Sequence, residues 1–141
     1  MRSRAFLLDT NLLVAAIKRL PRVTPAFLLV EAVVSNPDIQ LVGDSSLLLE
    51  YRHYSAAFPS HVGSELVENL VARMLLANID PSHVTIAAPY FGDDSLADMQ
   101  HAAACLATDA ILITNDRDFE NLGRSGLVEV WSVSRALREL A

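Results

Sequence analysis

The sequence predicts an α/β fold of three layers: a central, mostly parallel five-stranded sheet, helices on both faces, and a helical hairpin. Three observations carry this. Five short, mainly apolar runs read as strands, and two of them, Ala5–Leu8 and Ala110–Ile113, are wholly apolar, as strands buried on both faces are. Segments of helical spacing lie between them, and alternating β and α segments imply a parallel sheet with covered faces. The first run, Phe6-Leu7-Leu8, stops abruptly on Asp9 and a helical pattern follows. Ligands in open α/β sheets sit outside the carboxyl ends of the strands, so Asp9 is expected at the reactive edge.

Taken in order, Ala5–Leu8 is the first strand and Asn11–Ile17 a short helix that ends before Pro21. Thr24-Pro25 is a cap followed by a proline at the first helical position, opening a helix over Ala26–Val34 that stops at Asn36-Pro37. Gln40–Val42 is a strand closed by Gly43, and Asp44 caps a helix from Ser45 to about Phe58. Pro59-Ser60 breaks it, and His61–Asn78 returns as the second arm of the hairpin. Val84–Ala87 is expected as the third strand. Asp93-Asp94-Ser95 opens a helix to about Thr108, tightly packed through Ala102, Ala103 and Cys105. Ala110–Ile113 is the fourth strand, Thr114–Asp118 a polar turn, and Phe119–Leu122 a helical turn ended by Gly123. Val128–Trp131 is the last strand and Ser134–Leu140 the last helix. Right-handed crossovers then bring every strand exit to one edge.

The 141 residues suit one domain, 1–141, with no repeat or linker. A chain of this size buries about 68–70% of its unfolded surface and needs no covalent staples. The lone Cys105 cannot pair internally and fits a buried thiol in a reducing cytoplasm. Arg2 and Arg4 before an apolar run mimic a secretory signal, but Asp9, Thr10 and Asn11 interrupt it and no cleavage site follows. No run approaches the ~18 apolar residues of a membrane span, so a soluble, cytoplasmic protein is expected. The net charge of −6 argues against a surface that coats nucleic acid, but not against an enzyme that gathers its acids at one site. Positive charge is one Lys and ten Arg, clustered at Lys18, Arg19 and Arg22 and at Arg117 and Arg124. Guanidinium suits phosphate or carboxylate partners.

Four acids depart from the pattern of solvated faces. Asp9 ends a strand, Glu50 follows Leu47-Leu48-Leu49, Asp98 precedes the apolar Ala102–Ala107, and Asp116 follows Ile111-Leu112-Ile113 in a turn. Each has a plainer alternative: a helix cap for Asp9, an exposed stripe for Glu50, a first-turn acid for Asp98, turn chemistry for Asp116 and Asp118. Jointly they point elsewhere. Gathered carboxylates raise one another's pKa and oppose folding, and a divalent cation reverses that cost. Oxygen ligands without a Cys or His cluster favour magnesium or manganese, whose natural chemistry here is phosphodiester hydrolysis.

Leu7-Leu8-Asp9-Thr10-Asn11, Leu49-Glu50, Asp98 before His101-Ala102-Ala103-Ala104, and Leu112-Ile113-Thr114-Asn115-Asp116-Arg117-Asp118-Phe119 resemble the successive motifs of the PIN-domain family, in order and over nearly the whole chain. The resemblance is strongest to the toxin nucleases of VapBC-type toxin–antitoxin pairs. It implies a PIN-like fold and a Mg2+- or Mn2+-dependent endoribonuclease whose acidic quartet is Asp9, Glu50, Asp98 and Asp116. It makes Asp9, Asp98 and Asp116 the metal ligands, with Glu50 orienting or deprotonating water. Thr10, Asn11 and Thr114 fall where the family has small polar residues that hydrogen-bond the acids, and Asp118 matches a further acid of the last motif. Many toxins have Asn where Asp116 stands, so the fourth acidic position is Asp116 or Asp118. The implied partners are an RNA substrate, a cognate antitoxin and a second copy of the chain, with the hairpin as docking surface.

His53 and His101 share helix faces with Glu50 and Asp98, as hydrogen-bond partners or as ordinary histidines. Trp131 is expected in the core. Tyr51, Tyr54 and Phe58 fit core or a dimer seam better than base stacking. Arg117 either contacts a phosphate or pairs with Asp118 or Glu120. Two other functions compete. Asp9 as a phosphoryl-accepting nucleophile lacks the second Asp two residues on, where Asn11 stands, and the late lysine of receiver domains. A non-catalytic PIN-like module that binds RNA or protein has little reason to keep a complete acid set.

Overall fold

The computed structural model describes residues 4–93 and 95–141. Asp94, expected to open a helix, lies outside the described residues. Strand β1 (Ala5–Leu8) leads into α1 (Thr10–Ile17) and α2 (Pro25–Ser35), then β2 (Gln40–Gly43). The hairpin follows as α3 (Ser45–Ala57) and α4 (His61–Arg73), and β3 (Met74–Leu76) continues α4 without a gap. Helices α5 (Pro81–Ala87) and α6 (Leu96–Thr108) precede β4 (Ile111–Ile113). A single 3-10 turn and α7 (Glu120–Ser125) lead to β5 (Val130–Trp131) and α8 (Val133–Leu140).

The five strands lie in the order β3-β2-β1-β4-β5 and every pairing is parallel. Strand order reverses between β1 and β4, which makes their carboxyl ends the switch point where α/β sheets bind ligands. Phe6, Leu7 and Leu8 are in register with Ile111, Leu112 and Ile113. Asp9 and Thr114 therefore leave the sheet side by side, and Asp9 N still donates to Ile113 O at 3.1 Å. Both central strands are buried on both faces, which explains their unalternating apolar sequence.

Two expected elements are corrected. Val84–Ala87 is not a strand but the end of α5. Pro81 stands at the first helical position, and Asp80 N donates to His83 Nδ1 at 3.1 Å, so a capped helix start outweighs the β-branched Val84, Thr85 and Ile86. The strand is instead Met74–Leu76, expected as the last turns of the hairpin's second helix. That helix stops at Arg73, whose guanidinium donates to the carbonyls of Val33, Val34, Asn36 and Ile39. So anchored, the chain runs straight on beside β2. Gly43 permits the approach, since a Cβ there would collide with Met74 Sδ. A smaller correction concerns Gly123: it lies inside α7, which ends at Gly126 with φ of +79°.

Trp131, Cys105 and Tyr51 are buried as expected, and the Tyr51 hydroxyl donates to Leu8 O at the end of β1. No helix among the described residues is long and apolar enough to cross a membrane.

Candidate metal and catalytic site

Asp9 is 3% exposed and occupies the N-cap position of α1, yet its side chain makes no capping hydrogen bond. Thr114 Oγ1 donates to Asp9 Oδ2 at 2.8 Å instead. Thr114 also accepts from Asp116 N at 2.9 Å, so one hydroxyl ties the two acidic loops together. Asp116 has a turn role, accepting on Oδ1 from Asp118 N, but its Oδ2 takes a hydrogen bond from Asn11 Nδ2 at 3.0 Å. Asp98 stands in the first turn of α6 and faces the same space.

Two sets of side chains each bring their ligand atoms within 4.8 Å of one another: Asp9, Asp98 and His101 in one, Asp98, Asp116 and Asp118 in the other. Asp98 belongs to both and links the β1 acid to the β4 loop. Burial, then the charges of Asp9 and Asp116, push the Asp98 carboxyl up to about 6. Burial also raises Asp9, against the hydrogen bond from Thr114. Burial dominates both shifts, and the neighbouring acids add to the rise in spite of His101. The donor set suits a hard divalent cation held by oxygen.

His101 belongs to the first set, but both its ring nitrogens also face other acids. Its Nδ1 lies 2.7 Å from Asp44 Oδ2 and its Nε2 3.4 Å from Glu50 Oε1. Burial disfavours its charge, yet these two acids push its pKa up to about 10. A doubly protonated ring has no lone pair for a metal. With both ring nitrogens turned to acids, His101 fits a buried cation, and the carboxylates are the candidate donors. The His101 contact holds Glu50 below the ordinary carboxylate range. Glu50 thus reaches the site through His101 rather than as a member of either set.

Of the four expected acids, Asp9, Asp98 and Asp116 come together on this edge with Asp118, whereas Glu50 adjoins them through His101. Of the three polar residues expected to hydrogen-bond them, Asn11 and Thr114 do so. Thr10 Oγ1 is buried and lacks a partner of hydrogen-bond geometry, although it lies near enough to Glu50 to help lower its pKa. An orphaned hydroxyl beside acids fits a place for water or a ligand. His53 is exposed, edge-on to Tyr54, and takes no part. Arg117 forms no ion pair among the described residues, with Asp118 and Glu120 included.

Asp44 is the residue that sequence reasoning assigned too little. It does cap α3, with Oδ1 accepting from Leu47 N at 2.8 Å, while Oδ2 holds His101. The signal was present: Asp44 directly follows a buried strand, just as Asp9 does.

A family model described as PIN domain matches residues 6–125. No curated protein matches the chain. Among solved structures, it is similar to a chain of the crystal structure of VapBC2 from Rickettsia felis bound to a DNA fragment from their promoter. The TM-score is 0.61 at 17% identity, covering 91% of this chain and 98% of that one.

Proposed function

The chain belongs to the PIN-domain family, and from that premise we propose that it is a metal-dependent endoribonuclease, the toxin of a toxin–antitoxin pair. The observation that carries the reading is the convergence of Asp9, Asp98, Asp116 and Asp118, distant in sequence, around one space at the carboxyl ends of β1 and β4. Asp9, Asp98 and Asp116 would hold Mg2+ or Mn2+, directly or through water. The cation supplies polarisation of a phosphoryl oxygen and offsets charge on the leaving oxygen.

The protein's own groups do the rest. Thr114 and Asn11 fix the orientations of Asp9 and Asp116. Glu50 orients or deprotonates the attacking water. Ser46 Oγ and His101 Nε2 both address its Oε1, which leaves Oε2 for that water. Its lowered pKa keeps it ionised, a hydrogen-bond acceptor that can orient that water. Asp118 supports the turn that presents Asp116.

In this reading residues 1–141 act as one domain in the cytoplasm, on RNA, and as a homodimer. The Rickettsia neighbour is a VapBC2 assembly, which supports an antitoxin partner here. The hairpin offers it a surface, in the cleft between α3 and α4 near Val67 and Val71.

The test is cleavage of structured RNAs by the purified chain in Mg2+ or Mn2+, with and without EDTA. Cleavage is expected only with the metal, and Asp9→Asn should abolish it while circular dichroism stays that of the wild type. Wild-type turnover by Asp9→Asn, in buffer freed of trace metals before magnesium is added, overturns the assignment.

A further inference from the structure

A groove of about 460 Å3 opens beside the acids, and apart from Asn11 and Asp116 its lining has no part in the chemistry above. Asn11, Asn115 and Asp116 line it near the acids, Lys18 and Arg19 line it at the other end of α1, and Ala15 lies on α1 between them. Positions 11, 15 and 18 share one face of α1, so the path from acids to cations is straight. At 1.5 Å per residue it is about 10 Å long. Lys18 and Arg19 are exposed and form no ion pair among the described residues, in a chain whose net charge is −6. A cation at a helix C-terminus complements the dipole. That accounts for Lys18 at the C-cap of α1, but not for a second cation or for a groove leading back to the acids.

We propose that this groove is a subsite for the sugar–phosphate backbone of single-stranded RNA, with Lys18 and Arg19 contacting phosphates that flank the one presented to the acids. The proposal rests on the nuclease reading of those acids. A cavity of this size is that of a small-ligand site, so it admits one flexible strand and not a duplex. Ala15 leaves room for a ribose, and Asn115 spends its Oδ1 on Val133 N at 3.0 Å, keeping its N–H donors for the strand.

The test compares Lys18→Ala/Arg19→Ala with its parent, both carrying Asp98→Asn to block cleavage. A fluorescein-labelled single-stranded RNA is titrated and anisotropy is followed across a salt series. Affinity at low salt should fall about ten-fold in the double variant. The slope of log K against log salt should become shallower by about 1.4, since each single-strand phosphate contact contributes about 0.7. In the cleavage-competent chain the same pair should raise KM for RNA far more than it lowers kcat. Unchanged affinity and slope overturn the subsite and leave the two cations as helix-end charges. Loss of poly-glutamate binding in the double variant, with RNA binding intact, overturns it too and assigns the groove to an acidic protein segment. If the wild type cleaves no RNA with Mn2+ while the slope still changes, the subsite stands and the nuclease reading falls. If it cleaves RNA while the slope is unchanged, the nuclease reading stands and the subsite falls.

Discussion

Asp44 accepts from two directions, the α3 backbone and the His101 ring, and His101 passes that anchorage to Glu50. Removing the ring leaves two acids beside a buried, uncompensated gap. His101→Leu should therefore destabilise the protein by about 3–5 kcal/mol, as breaking a buried ion pair does, measured by urea unfolding at pH 6. A cost below about 1 kcal/mol would show that the ring is uncharged. The pH dependence has a definite sign. The folded pKa of His101, about 10, lies above its ordinary 6.5, so its contribution is complete below pH 6.5 and is lost as pH rises through 10. Sequence showed the acids at strand ends because an acid after a buried run is locally unusual. It could not show that His101 joins Asp44 and Glu50, because that contact depends on how α6 lies across α3. Sequence spacing paired His101 with Asp98, the acid nearest on its own helix, and geometry gave it two partners on another.

At the scale of elements, the central strands, the hairpin and the α6 helix were legible because buried runs and helical spacing are strong over their length. The third strand was not. Met74-Leu75-Leu76 continues the apolar spacing of α4, and three residues are too few to separate a period of two from one of 3.6. What ends the helix is a tertiary anchor, Arg73, clamped on four carbonyls at the end of α2. Arg73→Ala strands those carbonyls and should cost about 2–4 kcal/mol in urea unfolding. Arg73→Lys should recover less than half, because one ammonium cannot reproduce a planar fork over four acceptors. Full recovery by lysine would mean that charge rather than geometry holds the junction. The α5 error has a different cause. Val84, Thr85 and Ile86 favour a strand by composition, whereas Asp80-Pro81 opens a helix by position, and the helix start prevails.

Across the whole molecule, the acid edge works against the fold that carries it. Asp98, raised to about 6, contributes stability that is present below its ordinary 3.8 and lost as pH climbs through 6. Above that, crowded charge opposes folding, and a captured cation would relieve it. Three measurements follow on one protein. In EDTA at pH 8, Asp98→Asn should be more stable than the wild type by about 1 kcal/mol, a figure discounted for the partial exposure of the carboxyl. Mn2+ at one hundred times its dissociation constant should stabilise the wild type by about 2.7 kcal/mol. That is a rise in Tm of about 5–10 °C for a domain of this size. The same Mn2+ should do little at pH 5, where Asp98 holds a proton, and little to Asp98→Asn at any pH. No rise in either would mean that the edge holds no cation, and equal rises in wild type and variant that Asp98 takes no part in holding one.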